Sequence, residues 1–143
     1  MRRRRHTRLV ALLLLLWPLA TRAVEPHLVV VVHPTRTEPL DVADVARIFL
    51  GRRRFWADGT AIVPLNLPPA HPLRDRFTRV VLHQDATQLA RYWNERYFQG
   101  VLPPAVLGST EAVKRYVATE PKAIGYLDAT EVDATVHVVL RLD

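Results

Sequence analysis

The chain has 143 residues, with 20 Lys plus Arg against 14 Asp plus Glu, a formal net charge of +6 and no cysteine. That length holds one ordinary domain with its own core, and the lack of Cys excludes a disulfide framework, a thiolate metal centre and a thiol nucleophile. Excess positive charge raises nucleic acid as a partner, so the location of the charge decides the matter.

Residues 1–23 read MRRRRHTRLVALLLLLWPLATRA. An Arg-rich start, an apolar run and small residues before a cut point are the three parts of a secretory signal peptide, and cleavage is expected after Ala23. The apolar run, Leu9 to Leu16 extended by Trp17, Leu19 and Ala20, falls short of the ~20 residues that span a bilayer as a helix. No Cys follows it to take a lipid. The expected product is residues 24–143, periplasmic, freely diffusing and without a permanent membrane anchor. Six of the 20 basic residues and none of the acidic ones lie in the leader. The remaining domain carries 14 charges of each sign. A neutral domain lacks the broad positive field of a phosphate-backbone binder, which removes nucleic acid from the expected partners.

Leu28 to Val32 is a continuous β-branched run, as in a strand covered on both faces. Asp41 is an N-cap with Asp44 in the first turn, Leu40 can staple onto Val45, and Gly51 supplies the stop of this first helix. Asp58-Gly59 turns the chain into a second strand over Ala61 to Leu65, where Pro64 marks an edge or a strand end. Pro72 predicts the first turn of a helix whose apolar face is Leu73, Phe77, Val80 and Val81. Asp85 with Gln88 forms a capping box for a third helix with Leu89, Tyr92, Trp93 and Arg96 at helical spacing. Val101 to Pro104 reads as a loop. Ser109 caps a fourth helix ending before Pro121, and two strands, Ala123 to Leu127 and Thr135 to Leu142, close the chain. Strand, helix, strand, three helices, strand, strand is an α/β order in one domain.

Chemistry-bearing residues are few. Ser109 is the only serine and has a sufficient role as a cap, and no GxSxG or phosphate-cradling Gly-rich motif occurs. The chain reads as a non-enzyme with no cofactor. His27, His33, His71, His83 and His137 show no HxH or HxxxH spacing, so a metal site would need His33 and His137 brought together by neighbouring first and last strands. Arg52, Arg53, Arg54 and Trp56 form the densest basic stretch after the leader. It serves either as cations on the end of the first helix or as a docking patch. Asn66 to Arg74, NLPPAHPLR, joins a strand end to a helix start, where free amides and the helix dipole favour an anion, with Asn66, His71 and Arg74 as added donors. The same segment also reads as a capped, Pro-rich connection.

ARIFLGRRRFWADGTAIVPLN, followed about 60 residues on by VKRYVATEPKAIGYLDA, resembles the second lobe of the periplasmic phosphate-binding component of ABC transporters, a type II solute-binding fold. The most specific segment is Val117 to Tyr126, Val-x-x-x-Pro-x-Ala-Ile-Gly-Tyr, and the resemblance runs from Val29 to Leu142. It implies a single three-layer α/β lobe, a mixed sheet flanked by helices (PBP-like). The implied function is that of a substrate-binding protein taking a small anion such as phosphate. Ligand-binding positions would be Asn66, Ala70, His71, Leu73, Arg74, Gly125 and Tyr126. Two departures stand out: Asn66 occupies the place of the family's Arg, and Ala70-His71-Pro72-Leu73 replaces its Gly-Ser-Gly-Thr type loop. A full member has two such lobes. The alternative expectation is an interaction module docking onto a membrane transporter or sensor subunit through Arg52, Arg53, Arg54 and exposed Trp56, Tyr97 and Phe98.

Overall fold

The computed structural model describes residues 27–142; the expected leader lies outside them. Five strands, four α-helices and one 3-10 turn follow in the order β1 Leu28–Val32, α1 Val42–Phe49, β2 Val63–Asn66, α2 Pro72–Val80, α3 Ala86–Tyr97, β3 Ala105–Val106, α4 Thr110–Thr119, β4 Ala123–Asp128, the 3-10 turn Ala129–Glu131 and β5 His137–Leu142. They form one mixed sheet, β3-β2-β4-β1-β5. β1 runs antiparallel to β4 and β5, and β2 runs parallel to β4 and β3.

The local signals account for the helix starts. The Asp41 and Asp85 side chains each accept the amide of the third helical residue, Asp44 and Gln88, whose own side chains return the bond. Ser109 Oγ accepts the Ala112 amide at 3.1 Å. Gly51 ends α1 at φ +68°, a conformation glycine adopts without strain.

β1 is buried along its whole length. Strand alternation sorts the helices into two layers around the sheet. On one face of β4, Tyr126 stacks on Phe77 of α2, centroids 4.1 Å apart, and meets Phe49 of α1 at 5.9 Å. On the other face α4 comes so close that a Cβ placed on Gly125 would lie 2.5 Å from Val113 Cγ1. The most family-like segment of the sequence is therefore a packing device, with glycine admitting one helix and tyrosine anchoring two others.

Three expectations change. The stretch after Pro103-Pro104 contains the two-residue strand β3, which pairs Leu65 with Ala105 and Asn66 with Val106. β2 is consequently not an edge strand, and Pro64 is tolerated for a narrower reason. The Val63 amide donates to Lys122 O toward β4, so the missing donor of Pro64 points the other way, where β3 has not yet begun to pair. Trp56, expected on the surface, is only 3% exposed. Its indole Nε1 donates to Lys122 O at 3.0 Å, and Arg36 lies over the ring at 4.6 Å. An indole of that size with a satisfied N–H belongs in the core.

Candidate functional site

The loop from Asn66 to Arg74 lies where sequence logic put it, between the end of β2 and the start of α2, but much of its hydrogen-bonding capacity is already engaged. His71 is the N-cap of α2, and its Nδ1 accepts the Leu73 amide at 3.1 Å. Pro72 has no N–H, and the Arg74 and Asp75 amides close onto the His71 carbonyl at 3.0 and 3.2 Å. The Arg74 guanidinium donates to Leu67 O at 2.7 Å, folding the loop back on itself. Asn66 Oδ1 accepts both the Leu67 amide, at 3.0 Å, and the Tyr126 hydroxyl. Burial pushes that hydroxyl far above the ordinary phenol range, which keeps it a neutral donor.

Gly125 and Tyr126 are turned into the core and away from any ligand space, Leu73 is buried as well, and Ala70 is exposed. Of the expected ligand positions, Arg74 borders a pocket of about 330 Å³ facing α3, and His71 and Leu73 border another, of about 270 Å³, completed by Pro72, Thr110, Asp128 and Glu131. The latter sits among the beginnings of α2, α4 and the 3-10 turn. Ser109 satisfies the third amide of α4, and the first two, on Thr110 and Glu111, have no acceptor within the helix.

Two carboxylates here escaped the sequence reading. Asp128 caps the 3-10 turn, and the amide and hydroxyl of Thr130 hold its carboxyl below the usual range. Glu131 accepts the Thr110 hydroxyl at 2.5 Å and the Asp128 amide at 3.2 Å. The signal was present as Asp-x-x-Glu directly after a strand, a capping-box spacing. The pocket thus mixes amide and imidazole donors with carboxylate acceptors. A bare dianion is repelled by the carboxylates, whereas an oxyanion that keeps a proton can use both kinds of group.

The basic stretch after α1 is divided. Arg53 pairs with Glu38 and, at 3.2 Å, with Asp44. Arg52 lies over the Tyr92 ring at 5.6 Å. Arg54 is exposed and its side chain meets no carboxylate among the described residues. Tyr97 and Phe98, at the end of α3, are 63% and 88% exposed. β1 and β5 are neighbours, with Val32 opposite His137, yet the His33 ring is engaged by Thr35 at 2.8 Å. No group of three or more potential metal ligands forms among the described residues.

The fold with this geometry has clear relatives. A phosphate ABC transporter substrate-binding protein with bound phosphate, from Clostridium perfringens, superposes with a TM-score of 0.66 at 19% identity, over 80% of this chain and 44% of the other. An ABC-type phosphate transport receptor from Vibrio cholerae gives 0.65 at 15% identity, over 80% and 45%. PstS from Borrelia burgdorferi gives 0.61 at 12%, over 80% and 46%. The fold is that of the phosphate receptors. This chain spans less than half the length of each of these structures, one α/β lobe in extent. No family model and no curated protein matches the sequence.

Proposed function

We propose that the chain is an exported, non-catalytic binding module that takes a small, proton-bearing oxyanion of the phosphate type at the pocket between His71, Thr110, Asp128 and Glu131. The observation that carries the reading is the position of this pocket, at the strand ends and the starts of two helices, in a fold shared with proteins described as phosphate-binding. The free amides of Thr110 and Glu111 and the His71 ring would supply donors, and Asp128 would accept the ligand's proton. A single lobe leaves such a ligand open to water on one side. A membrane transporter subunit or a second copy would complete the wall.

Thermal unfolding of protein purified from the exported fraction, with phosphate, sulfate and acetate in turn, tests this. Ligand at 100 times its Kd stabilises by ~2.7 kcal/mol. The expected result is a shift with phosphate that is largest where the monoanion predominates, and that Asp128→Asn abolishes. Absence of any shift at millimolar phosphate overturns the reading. Asp128→Asn binding phosphate more tightly would show that the carboxylate only repels. A second reading, docking onto a membrane transporter or sensor subunit, is favoured by the exposed pair Tyr97 and Phe98 at the tip of α3. Cross-linking in intact cells, compared with Phe98→Ser, decides it.

A further inference from the structure

A further cavity lies at the other end of β2, away from the strand-end pocket. It encloses about 520 Å³ between the chain leading into β2, the end of α1, Trp93 of α3 and the loop before β3. Its walls are chiefly apolar, with Ile48, Phe55, Ile62, Trp93, Val101 and Leu102 among them. Two of these are large side chains left in water, Phe55 at 58% exposed and Leu102 at 69%. The polar supply on this side is poor, because Pro64, Pro103 and Pro104 all line the space and offer no N–H.

Charge is supplied from one place only. The ionisable residues bordering the space are Arg53 and Arg54, with no carboxylate among the lining residues. Arg53 is balanced by Glu38 and Asp44, which leaves the exposed Arg54 as an uncompensated cation at the rim. A volume of this size, apolar walls and one placed charge match the general anatomy of a small-molecule site. The chain's own leader, with six Arg and no acidic residue, has the wrong charge to fill it.

We infer that this groove is a binding site for an amphipathic monocarboxylate, its acyl or arylalkyl body against Phe55, Trp93 and Leu102 and its carboxylate on the Arg54 guanidinium. The inference stands apart from the oxyanion pocket, since the two sites share no lining residue. Arg54 offers two parallel N–H donors to a carboxylate, a geometry that an alcohol or an ammonium group cannot use.

The test titrates the exported protein with dodecanoate and dodecyltrimethylammonium below their micelle concentrations and dodecanol below its solubility limit, following amide resonances by NMR. Dodecanoate is expected to shift Phe55 and Val101 to Ala105, to bind at least fivefold more tightly than dodecanol, and to be undisturbed by saturating phosphate. Arg54→Gln should weaken it about fivefold, as for an exposed ion pair, and Leu102→Asp by more than tenfold. Both side chains are exposed, so folding is expected to survive, and Phe55→Ser gives an independent check. Equal binding of the cationic probe, unchanged affinity in Arg54→Gln, or shifts scattered over the surface would each overturn the inference. Displacement by phosphate would also overturn it, without bearing on the oxyanion pocket.

Discussion

The two ends of β2 are opposites. Beyond its C-terminal end the chain uses up its own hydrogen-bonding groups: Asn66 holds Tyr126 and Leu67, Arg74 holds the Leu67 carbonyl, and His71 caps the helix that follows. What remains open there is small and carries two carboxylates. Before its N-terminal end the sheet edge is incompletely covered, prolines remove donors, and an apolar groove keeps a spare guanidinium. Residues that look like ligands in sequence are structural at the first end, and residues that look structural or merely basic are free at the second. The comparison predicts that substitutions beyond β2 and along β4 cost stability, whereas those of the groove's exposed side chains, Arg54, Phe55 and Leu102, cost only binding.

The largest effect is expected at Gly125. A methyl there meets Val113 at 2.5 Å, both partners are buried, and overpacking of this kind costs roughly 1–3 kcal/mol. Urea unfolding of Gly125→Ala measures it, and Gly125→Ala with Val113→Ala should recover part of the loss. A Gly125→Ala protein as stable as the parent would mean that α4 can lift away from β4, and that the core is looser than the geometry requires.

Next comes Tyr126→Phe, which keeps the stack on Phe77 and removes only the hydroxyl. Asn66 Oδ1 retains the Leu67 amide, so the expected loss is that of one buried hydrogen bond, about 1 kcal/mol. A loss near zero would show that the tie beyond β2 is dispensable, and would return Asn66 to the set of available ligands.

How far these roles were legible in sequence follows from their range along the chain. The caps at Asp41, Asp85 and Ser109 were readable because donor and acceptor lie three residues apart. The run Leu28 to Val32 was readable because burial on both faces leaves no alternation. β3 was not, since two exposed residues after Pro103-Pro104 carry no pattern and become a strand only by pairing with β2. Trp56 was misread because its partner, the Lys122 carbonyl, is 66 positions away, and the three arginines before it pointed to the surface. The site was half legible: His71 and the helix start were visible, but the engagement of Arg74 and the approach of Asp128 and Glu131 depend on the tertiary fold.

Acid should weaken the fold by a smaller margin. The Thr60 hydroxyl and amide, with Arg36, bring Asp58 down to about 2, and the Thr135 hydroxyl and amide, with Lys114, bring Asp133 down to about 2. Asp128 and Asp44 are lowered as well. A carboxyl depressed in the folded state stabilises fully above its unfolded pKa, ~3.9, and loses that contribution as pH falls through the folded value. Stability is therefore expected to stay level from pH 7 to about 5 and to decline between about pH 4 and 2, followed by circular dichroism. Asp58→Asn should shallow that decline. A steep loss already at pH 6 would point to a histidine instead.

The smallest effect is the sharpest test of the comparison. Arg54→Gln removes a charge that no carboxylate balances among the described residues, at an exposed position whose backbone carbonyl, not its side chain, holds the Ile62 amide. Surface changes of this kind stay within about 0.5 kcal/mol, and here relief of crowding among Arg52, Arg53 and Arg54 favours a slight gain. Arg53→Gln, one residue earlier, breaks the pairs with Glu38 and Asp44 and should lower stability by about 1 kcal/mol. If the two substitutions cost the same in one urea series, Arg54 has a structural partner in solution and the groove has lost its reason to prefer an anion. If they separate as expected, the division of labour within three consecutive arginines is real: one ties the turn to α1, one lies on Tyr92, and one is left for a ligand.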